Sequence, residues 1–157
     1  RAPGGGGFKT RAGPRRGGEE VLLVAPKTFM NRSGTAVRAA LAGKAVAPER
    51  LVAVYDDLDI PLGEIRVRKS GRPGTHKGMI SIVGEIGTDM FPRVRIGIGP
   101  LPPGRDPADF VVEPFRRDER ADLARGHDQA AEALEMVLDG GIERAMTRFN
   151  HRVASGS

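Results

Sequence analysis

Three short segments of the chain hold polar residues of the kinds that bind or transform substrates. The first covers residues 27–34, with the sequence KTFMNRSG. Asn31 can donate and accept hydrogen bonds at once, which suits a carbonyl or a ribose hydroxyl, and Phe29 and Met30 can form an apolar wall beside it. The alternative is that Asn31 caps a helix, a position that also favours Asn.

The second segment is acidic and follows a predicted strand, with carboxylates at Asp56, Asp57 and Asp59. A carboxylate at the end of a strand can orient a histidine or ligate a hard metal ion. No further cluster with metal-ligand spacing accompanies these residues, so we expect no metal. The alternative is an acidic loop that serves only solubility and turn formation.

The third segment is Gly-Thr-His-Lys-Gly at residues 74–78. Glycine-rich loops between a strand and a helix can present backbone N–H groups to anions. This loop lacks both the phosphate-loop and the dinucleotide-binding spacing. His76 is one of three histidines, with His127 and His151, and a structural hydrogen-bonding role is the alternative to a catalytic one.

Alternating strands and helices position these segments. Apolar runs predict strands at residues 21–24, 51–55, 65–68 and 94–98 and a short edge segment at 109–112, and amphipathic spacing predicts helices at 33–41, 79–86, 117–138 and 142–149. This order is typical of an α/β fold with a mixed, largely parallel sheet and helices on both faces. Ligands of such sheets lie beyond the carboxyl ends of the strands, where the first two segments fall.

Composition limits the function classes. The 157 residues, 39% hydrophobic and 29% charged, fit one domain, and the layout predicted is a flexible Gly/Arg-rich lead over 1–18, an α/β domain over 19–152 and a tail over 153–157. Cysteine is absent, which excludes disulfides and thiolate nucleophiles. No apolar run has the length of a membrane span, so we expect a soluble cytoplasmic protein.

The positive charge is unevenly distributed. The net charge is +5, and residues 1–18 hold five basic residues and no acid, so the rest of the chain is neutral on average. A stretch free of acids between Glu64 and Glu85, with the strand that follows, contains Arg66, Arg68, Lys69, Arg72, Lys77, Arg93 and Arg95. Such a stretch indicates a polyanionic partner such as a nucleic acid, and the alternative is a solvated Arg-rich strand and loop.

Four segments, in this order and at close spacing, resemble the bacterial-type peptidyl-tRNA hydrolase family: VLLVAPKTFMNRSG (21–34), VYDDLDIPLG (54–63), GTHKGMISI (74–82) and FPRVRIGIG (91–99). The segment DGGIERAM (139–146) is similar to the last helix of that family. The resemblance implies a mixed α/β fold and hydrolysis of the ester between a peptide and the terminal ribose of tRNA. It also implies a monomer that needs no cofactor and no protein partner.

The resemblance implies roles for individual residues. In the family a His acts as general base on water, and Asp56 matches the carboxylate that orients it, so Asp56 and Asn31 are the expected catalytic residues. Substrate contacts are implied for Phe29, Met30, Asn31, His76 and Lys77. Contacts with the tRNA backbone are implied for Arg66, Arg68, Arg93 and Arg95.

Two motifs of the family do not occur in the sequence given: Gly-Asn-Pro-Gly after the first strand, and Thr-Arg-His-Asn, which carries the catalytic His. Thr75 and Lys77 also stand where the family usually has Gly and Asn. We therefore expect an N-terminally incomplete chain, without the first strand and the catalytic His, and with weak activity. The alternative is a non-catalytic RNA-binding relative, similar to splicing factors that resemble the family.

Overall fold

A computed structural model of the chain describes residues 8–14 and 19–150. The fold is mixed α/β, as predicted. The strands are β1 (Phe8–Pro14), β2 (Glu20–Pro26), β3 (Ala53–Pro61), β4 (Ile65–Arg68) and β5 (Arg93–Gly99). The helices are α1 (Ser33–Lys44), α2 (Lys77–Ile86), α3 (Pro107–Val111), α4 (Arg120–Leu138) and α5 (Ile142–Phe149), with 3₁₀ turns at Met30–Arg32, Pro48–Arg50 and Arg117–Glu119.

The chain divides into two compact units. The first unit is Arg1–Leu51 with Gly71–Phe91, and the second is Val52–Ser70 with Pro92–Ser157. The described strands form an antiparallel β1–β2 sheet in the first unit and a sheet of order β3-β5-β4 in the second. In the second sheet β3 is parallel to β5 and β4 is antiparallel to it. The sheet structure is thus less parallel than the sequence predicted.

Strand β1 lies inside the segment that the sequence predicts as a flexible lead. It pairs with β2 in a regular antiparallel register from Phe8↔Pro26 to Pro14↔Glu20. Over residues 8–14 the structure therefore differs from the prediction. Pairing with β2 provides hydrogen-bond partners for the backbone groups of this segment, and the Gly- and Arg-rich composition does not show that such a partner strand exists. The remaining parts of the predicted lead, 1–7 and 15–18, and the predicted tail lie outside the described residues.

The first unit is held by close packing of α1 on α2. Helix α1 buries Ala36, Val37 and Ala40. At its start a Cβ on Gly34 would overlap the backbone carbonyl of Ser81 in α2, and the Gly34 N–H donates to the Ser81 hydroxyl at 2.9 Å. The backbone of α1 thus lies close to the backbone of α2 at this point. This contact fixes the position of the start of α1 relative to α2.

The second unit has its core between the β3-β5-β4 sheet and helices α4 and α5. The buried members of this core are Ile65, Val67, Val94, Ala130, Ala133, Val137, Ala145 and Phe149. Burial of this apolar surface supplies the main stabilising free energy of the unit. None of the helices in the described part of the chain is long and apolar enough to cross a membrane.

Strand β3 is longer than predicted and runs through the acidic segment to Pro61. Its register with β5 holds from Ala53 to Asp57, shifts, and resumes at Pro61↔Gly99. A Cβ on Gly99 would overlap the carbonyl of Leu58. The strand continues because glycine in β5 leaves room for the irregular part of β3.

The prediction of a short edge segment at residues 109–112 is wrong, because most of these residues lie in helix α3. The Asp106 carboxylate caps this helix by accepting from the N–H groups of Ala108 (2.8 Å) and Asp109 (3.4 Å). Pro107 occupies the first turn. Asp followed by Pro is a helix-start signal, and it outweighs the β preference of the valines that follow.

Candidate functional site

The 3₁₀ turn between β2 and α1 presents two apolar side chains to solvent. Phe29 is 82% exposed and Met30 is 56% exposed. The turn is held by its own backbone, since the N–H of Arg32 donates to the carbonyl of Phe29 at 2.8 Å. An exposed aromatic side chain on a fixed turn is available to a binding partner, in contrast to one buried in a core.

Asn31 lies in the same turn and is exposed. Within the described residues its side chain makes no hydrogen bond. The alternative that Asn31 caps α1 is therefore wrong: the N-cap is Arg32, without a side-chain cap bond. Ser33 is the first residue of the helix, and its hydroxyl donates to the Met30 carbonyl at 2.8 Å. The Asn31 amide thus keeps its donors and acceptor for a ligand.

His76 caps helix α2. Its Nδ1 accepts a hydrogen bond from the backbone N–H of Met79 at 3.2 Å. An imidazole whose Nδ1 accepts carries its proton on Nε2 in the neutral form, so Nε2 is a donor. Because Nδ1 is engaged in capping, it is not available to take a proton from water while His76 caps the helix.

Gly78 brings the turn and the loop together. A Cβ at this position would lie 2.7 Å from the Met30 Sδ and 3.0 Å from the His76 Cε1. Glycine alone allows both side chains to pack against the start of α2. The sequence places Gly78 only in a glycine-rich loop that could present backbone N–H groups to an anion, and its packing role is visible only in the fold.

Five residues with implied substrate contacts lie in the first unit, three on the 3₁₀ turn and two at the start of α2. We name this group the Asn31 site: Phe29, Met30, Asn31, His76 and Lys77. Lys77 is the first residue of α2 and is exposed. The site combines an apolar wall, an amide, an imidazole and a cation, which are side chains that can contact a polar substrate.

The second unit holds Asp56 within β3, opposite Ile96 of β5 and half-buried. The sequence placed this residue at the end of a strand, and the structure has it inside one. The neighbouring Asp57 binds Arg95 at 2.9 Å and accepts from the N–H of Asp59 at 2.8 Å. Among residues 8–14 and 19–150 no group of three or more metal-binding side chains occurs.

The arginines that were predicted to contact tRNA differ in what they can reach. Arg66 binds Glu64 at 3.2 Å, and both side chains are 16% exposed. Arg95 has its carboxylate partner in Asp57, and the arginine side chain is 19% exposed. Two of the four are therefore already engaged by carboxylates of the fold.

Arg93 and Arg68 are the two extremes of this set. Arg93 is only 1% exposed, so its guanidinium does not lie on a surface that a tRNA phosphate can reach, and the structure differs from the prediction there. Arg68 is exposed and makes no ion pair with the residues described. The fold is α/β, and its first unit carries the exposed group of polar and apolar side chains named the Asn31 site.

The comparisons with known proteins give the family. The sequence model of a protein family described as peptidyl-tRNA hydrolase matches residues 7–156. The chain belongs to the peptidyl-tRNA hydrolase family. The match begins inside the segment predicted as a lead, in agreement with the pairing of β1 with β2.

Individual relatives are similar over most of the chain. The peptidyl-tRNA hydrolase of Chloroflexus aggregans is 46% identical over 134 residues, 85% of this chain and 71% of the relative. That of Carboxydothermus hydrogenoformans is 47% identical over 133 residues, with the same shares. A crystal structure of peptidyl-tRNA hydrolase from Acinetobacter baumannii has a TM-score of 0.81 and 30% identity, covering 90% of this chain and 71% of that one.

Proposed function

We propose that this chain hydrolyses the ester between a peptide and the 3′ terminal ribose of tRNA, with the Asn31 site as the substrate site. Family membership supports the reaction class. The observation that carries the choice of site is the exposed Asn31 amide, which makes no hydrogen bond within the described part of the protein, on a turn packed against the His76-capped helix.

Each residue of the site has a distinct task in this proposal. The Asn31 amide donates to and accepts from the substrate next to the ester, and Phe29 and Met30 cover the apolar side of the terminal nucleotide. His76, for which the resemblance implies a substrate contact, caps the helix that begins with Lys77, and Lys77 offers a positive charge. Asp56 orients the protonatable group that activates water, the role that the resemblance gives it, and Arg68 contacts the tRNA backbone.

We propose also that the sequence given hydrolyses its substrate slowly. None of its three histidines stands in the Thr-Arg-His-Asn motif to which the resemblance assigns the general base, and His76 already uses Nδ1 as a helix cap. Loss of general-base catalysis costs about 10²- to 10⁴-fold in rate.

The test measures release of an N-blocked amino acid from its tRNA. The chain as printed is compared with the same chain preceded by a segment that carries the family's Gly-Asn-Pro-Gly and Thr-Arg-His-Asn motifs. We expect the longer chain to be faster by about 10²-fold or more, and Asp56→Asn to remove most of that gain. Equal rates would overturn the proposal that the base is supplied by that motif, and tRNA binding without hydrolysis by either chain would favour a non-catalytic RNA-binding relative.

The remaining expectations belong to the same proposal. The protein acts in the cytoplasm as a monomer and without a cofactor. Sedimentation of the free chain, and hydrolysis in the presence of a chelator, test the last two directly.

A further inference from the structure

Ser33 is a polar residue that the fold buries although the helix does not need its side chain. Only 7% of its surface is exposed, and a buried hydroxyl costs free energy unless it makes a hydrogen bond. Ser33 is the first residue of α1, and the N-cap position before it is held by Arg32. Alanine is the better helix former inside a helix, so helix formation alone does not explain a serine here.

The Ser33 hydroxyl acts on the 3₁₀ turn that precedes the helix. It donates to the Met30 carbonyl at 2.8 Å, and the backbone N–H of Ser33 donates to the same carbonyl. That carbonyl thus accepts two hydrogen bonds, as many as its two lone pairs allow. The hydroxyl oxygen also lies 3.8 Å from the Met30 Sδ, so this one side chain contacts both the main chain and the side chain of Met30.

These bonds hold the peptide unit that leads into Asn31. A peptide unit is planar, so the direction of the Met30 carbonyl also fixes the plane in which the Asn31 N–H and Cα lie. The Asn31 side chain is exposed and makes no hydrogen bond to the residues that the structure describes. Its position therefore depends on the main chain of the turn.

We propose that Ser33 is a positioning residue, whose hydroxyl holds the Met30–Asn31 peptide so that the Asn31 amide faces the substrate. This inference rests on the proposed function and adds to it a residue that acts only through Asn31. Without the hydroxyl, Asn31 is still present but its amide is spread over more orientations. A group that is displaced from its productive position loses much of its effect on the rate.

Ser81 provides a matched control. Its hydroxyl accepts from the backbone N–H of Gly34, the residue after Ser33, at 2.9 Å. Ser33→Ala and Ser81→Ala each remove one partly buried hydroxyl bond at the start of α1. Only the first of these bonds involves the Met30–Asn31 peptide.

The first experiment measures backbone amide hydrogen exchange by NMR in the chain as printed, corrected for the intrinsic rate of each sequence. The Arg32 N–H, which donates to the Phe29 carbonyl at 2.8 Å, reports on the turn. In Ser33→Ala we expect it to exchange roughly 3- to 10-fold faster, the equivalent of one lost hydrogen bond, while the Gly34 N–H keeps its rate. In Ser81→Ala we expect the reverse.

The Gly87 N–H at the end of α2, which donates to the Val83 carbonyl at 3.0 Å, is the reference for general loosening in both variants. An unchanged Arg32 rate in Ser33→Ala would overturn the proposal. Equal acceleration of Arg32 in both serine variants would also overturn it, because the turn would then depend on the helix start as a whole.

The second experiment is a double-mutant cycle on hydrolysis in the chain with the added His segment, with urea unfolding to give the folded fraction. Ser33→Ala should lower kcat/KM by roughly 3- to 10-fold per folded molecule, and Ser81→Ala should stay within about 2-fold. Added to Asn31→Ala, Ser33→Ala should cause no further loss, because a residue that acts through Asn31 then has nothing to position. Additive losses would mean that Ser33 has a merely structural role.

The two experiments separate this inference from the proposed function. If the His-containing chain hydrolyses its substrate but the losses at Ser33 and Asn31 are additive, the inference fails and the proposed function stands. If the exchange rates change as expected but no chain hydrolyses the substrate, the proposed function fails and the hold of Ser33 on the Asn31 turn remains.

Discussion

The Asn31 site in the first unit and the arginines of the β3-β5-β4 sheet in the second use polar residues in opposite ways. Asn31 and Lys77 are exposed and have no hydrogen-bond or ion-pair partner in the parts of the chain described. In the sheet, Arg66 and Arg95 have carboxylate partners at 3.2 and 2.9 Å. The first region leaves these two polar side chains exposed to solvent, and the second uses Arg66 and Arg95 to hold the fold together.

The difference shows why a count of basic residues in the sequence overestimates the number of cations that can bind phosphate. The stretch between Glu64 and Glu85 is free of acids in sequence only, because Glu64 and Glu143 lie outside it and still bind Arg66 and Lys69. Ion pairs formed across strands and helices remove cations from the set available to a nucleic acid. A cation remains available when no acidic residue lies near it in the folded protein, whichever residues are next to it in sequence.

The largest effect is expected for Asn31, a polar residue that makes no hydrogen bond within the described protein. Asn31→Ala, made in the chain with the added His segment, should lower hydrolysis by about 10²-fold because the substrate loses its positioning amide. The free energy of unfolding should change by less than about 0.5 kcal/mol, since the side chain makes no bond within the described protein. Steady-state rates and urea unfolding check both statements, and a loss of stability that accounts for the lost rate would contradict them.

Asn150 is the opposite case and gives the next largest effect. Its amide accepts from the N–H of Val67 and donates to the Val67 carbonyl, both at 2.7 Å. Asn150→Ala should lower the free energy of unfolding by about 1–3 kcal/mol, because both backbone groups lose a partner. Hydrolysis per folded molecule should be unchanged. A lower rate at full stability would place Asn150 among the residues that act on the substrate.

The smallest effect distinguishes ion pairs by burial. A double-mutant cycle on Asp57 and Arg95, whose side chains are 17% and 19% exposed, should give a coupling of about 1 kcal/mol. The same cycle on Arg38 and Glu85, 70% and 40% exposed, should give about 0.3 kcal/mol or less. Equal couplings in urea unfolding would mean that the sheet pair is as weakly engaged as the surface pair.

Sequence patterns predicted elements well where local signals agree. The last helix is found at residues 142–149 as predicted, because Gly140 and Gly141 stop the preceding helix and separate the two. Strand 65–68 also has the predicted bounds. The extension of β3 to Pro61 was not predictable from its own residues, because it depends on glycines that lie in β5.

The contacts of the Asn31 site could not be predicted from the sequence. The resemblance implies substrate contacts for Phe29, Asn31 and His76. No local sequence pattern shows that the Met30 and His76 side chains both pack against Gly78. The misplaced expectation for Arg93 has the same origin. Charge in sequence does not reveal burial, which depends on the strands on either side.

The four-residue strand β4 ends the second sheet on one side, and this has a consequence for self-association. The outward carbonyl of Ile65 accepts from the Arg66 guanidinium at 2.8 Å, and Asn150 occupies both backbone groups of Val67. The side chains of Arg66 and Asn150 thus make hydrogen bonds that a further strand would otherwise make. A strand from another molecule finds no open donor or acceptor at Val67, so this short edge is protected against the edge-to-edge pairing from which β-aggregates grow.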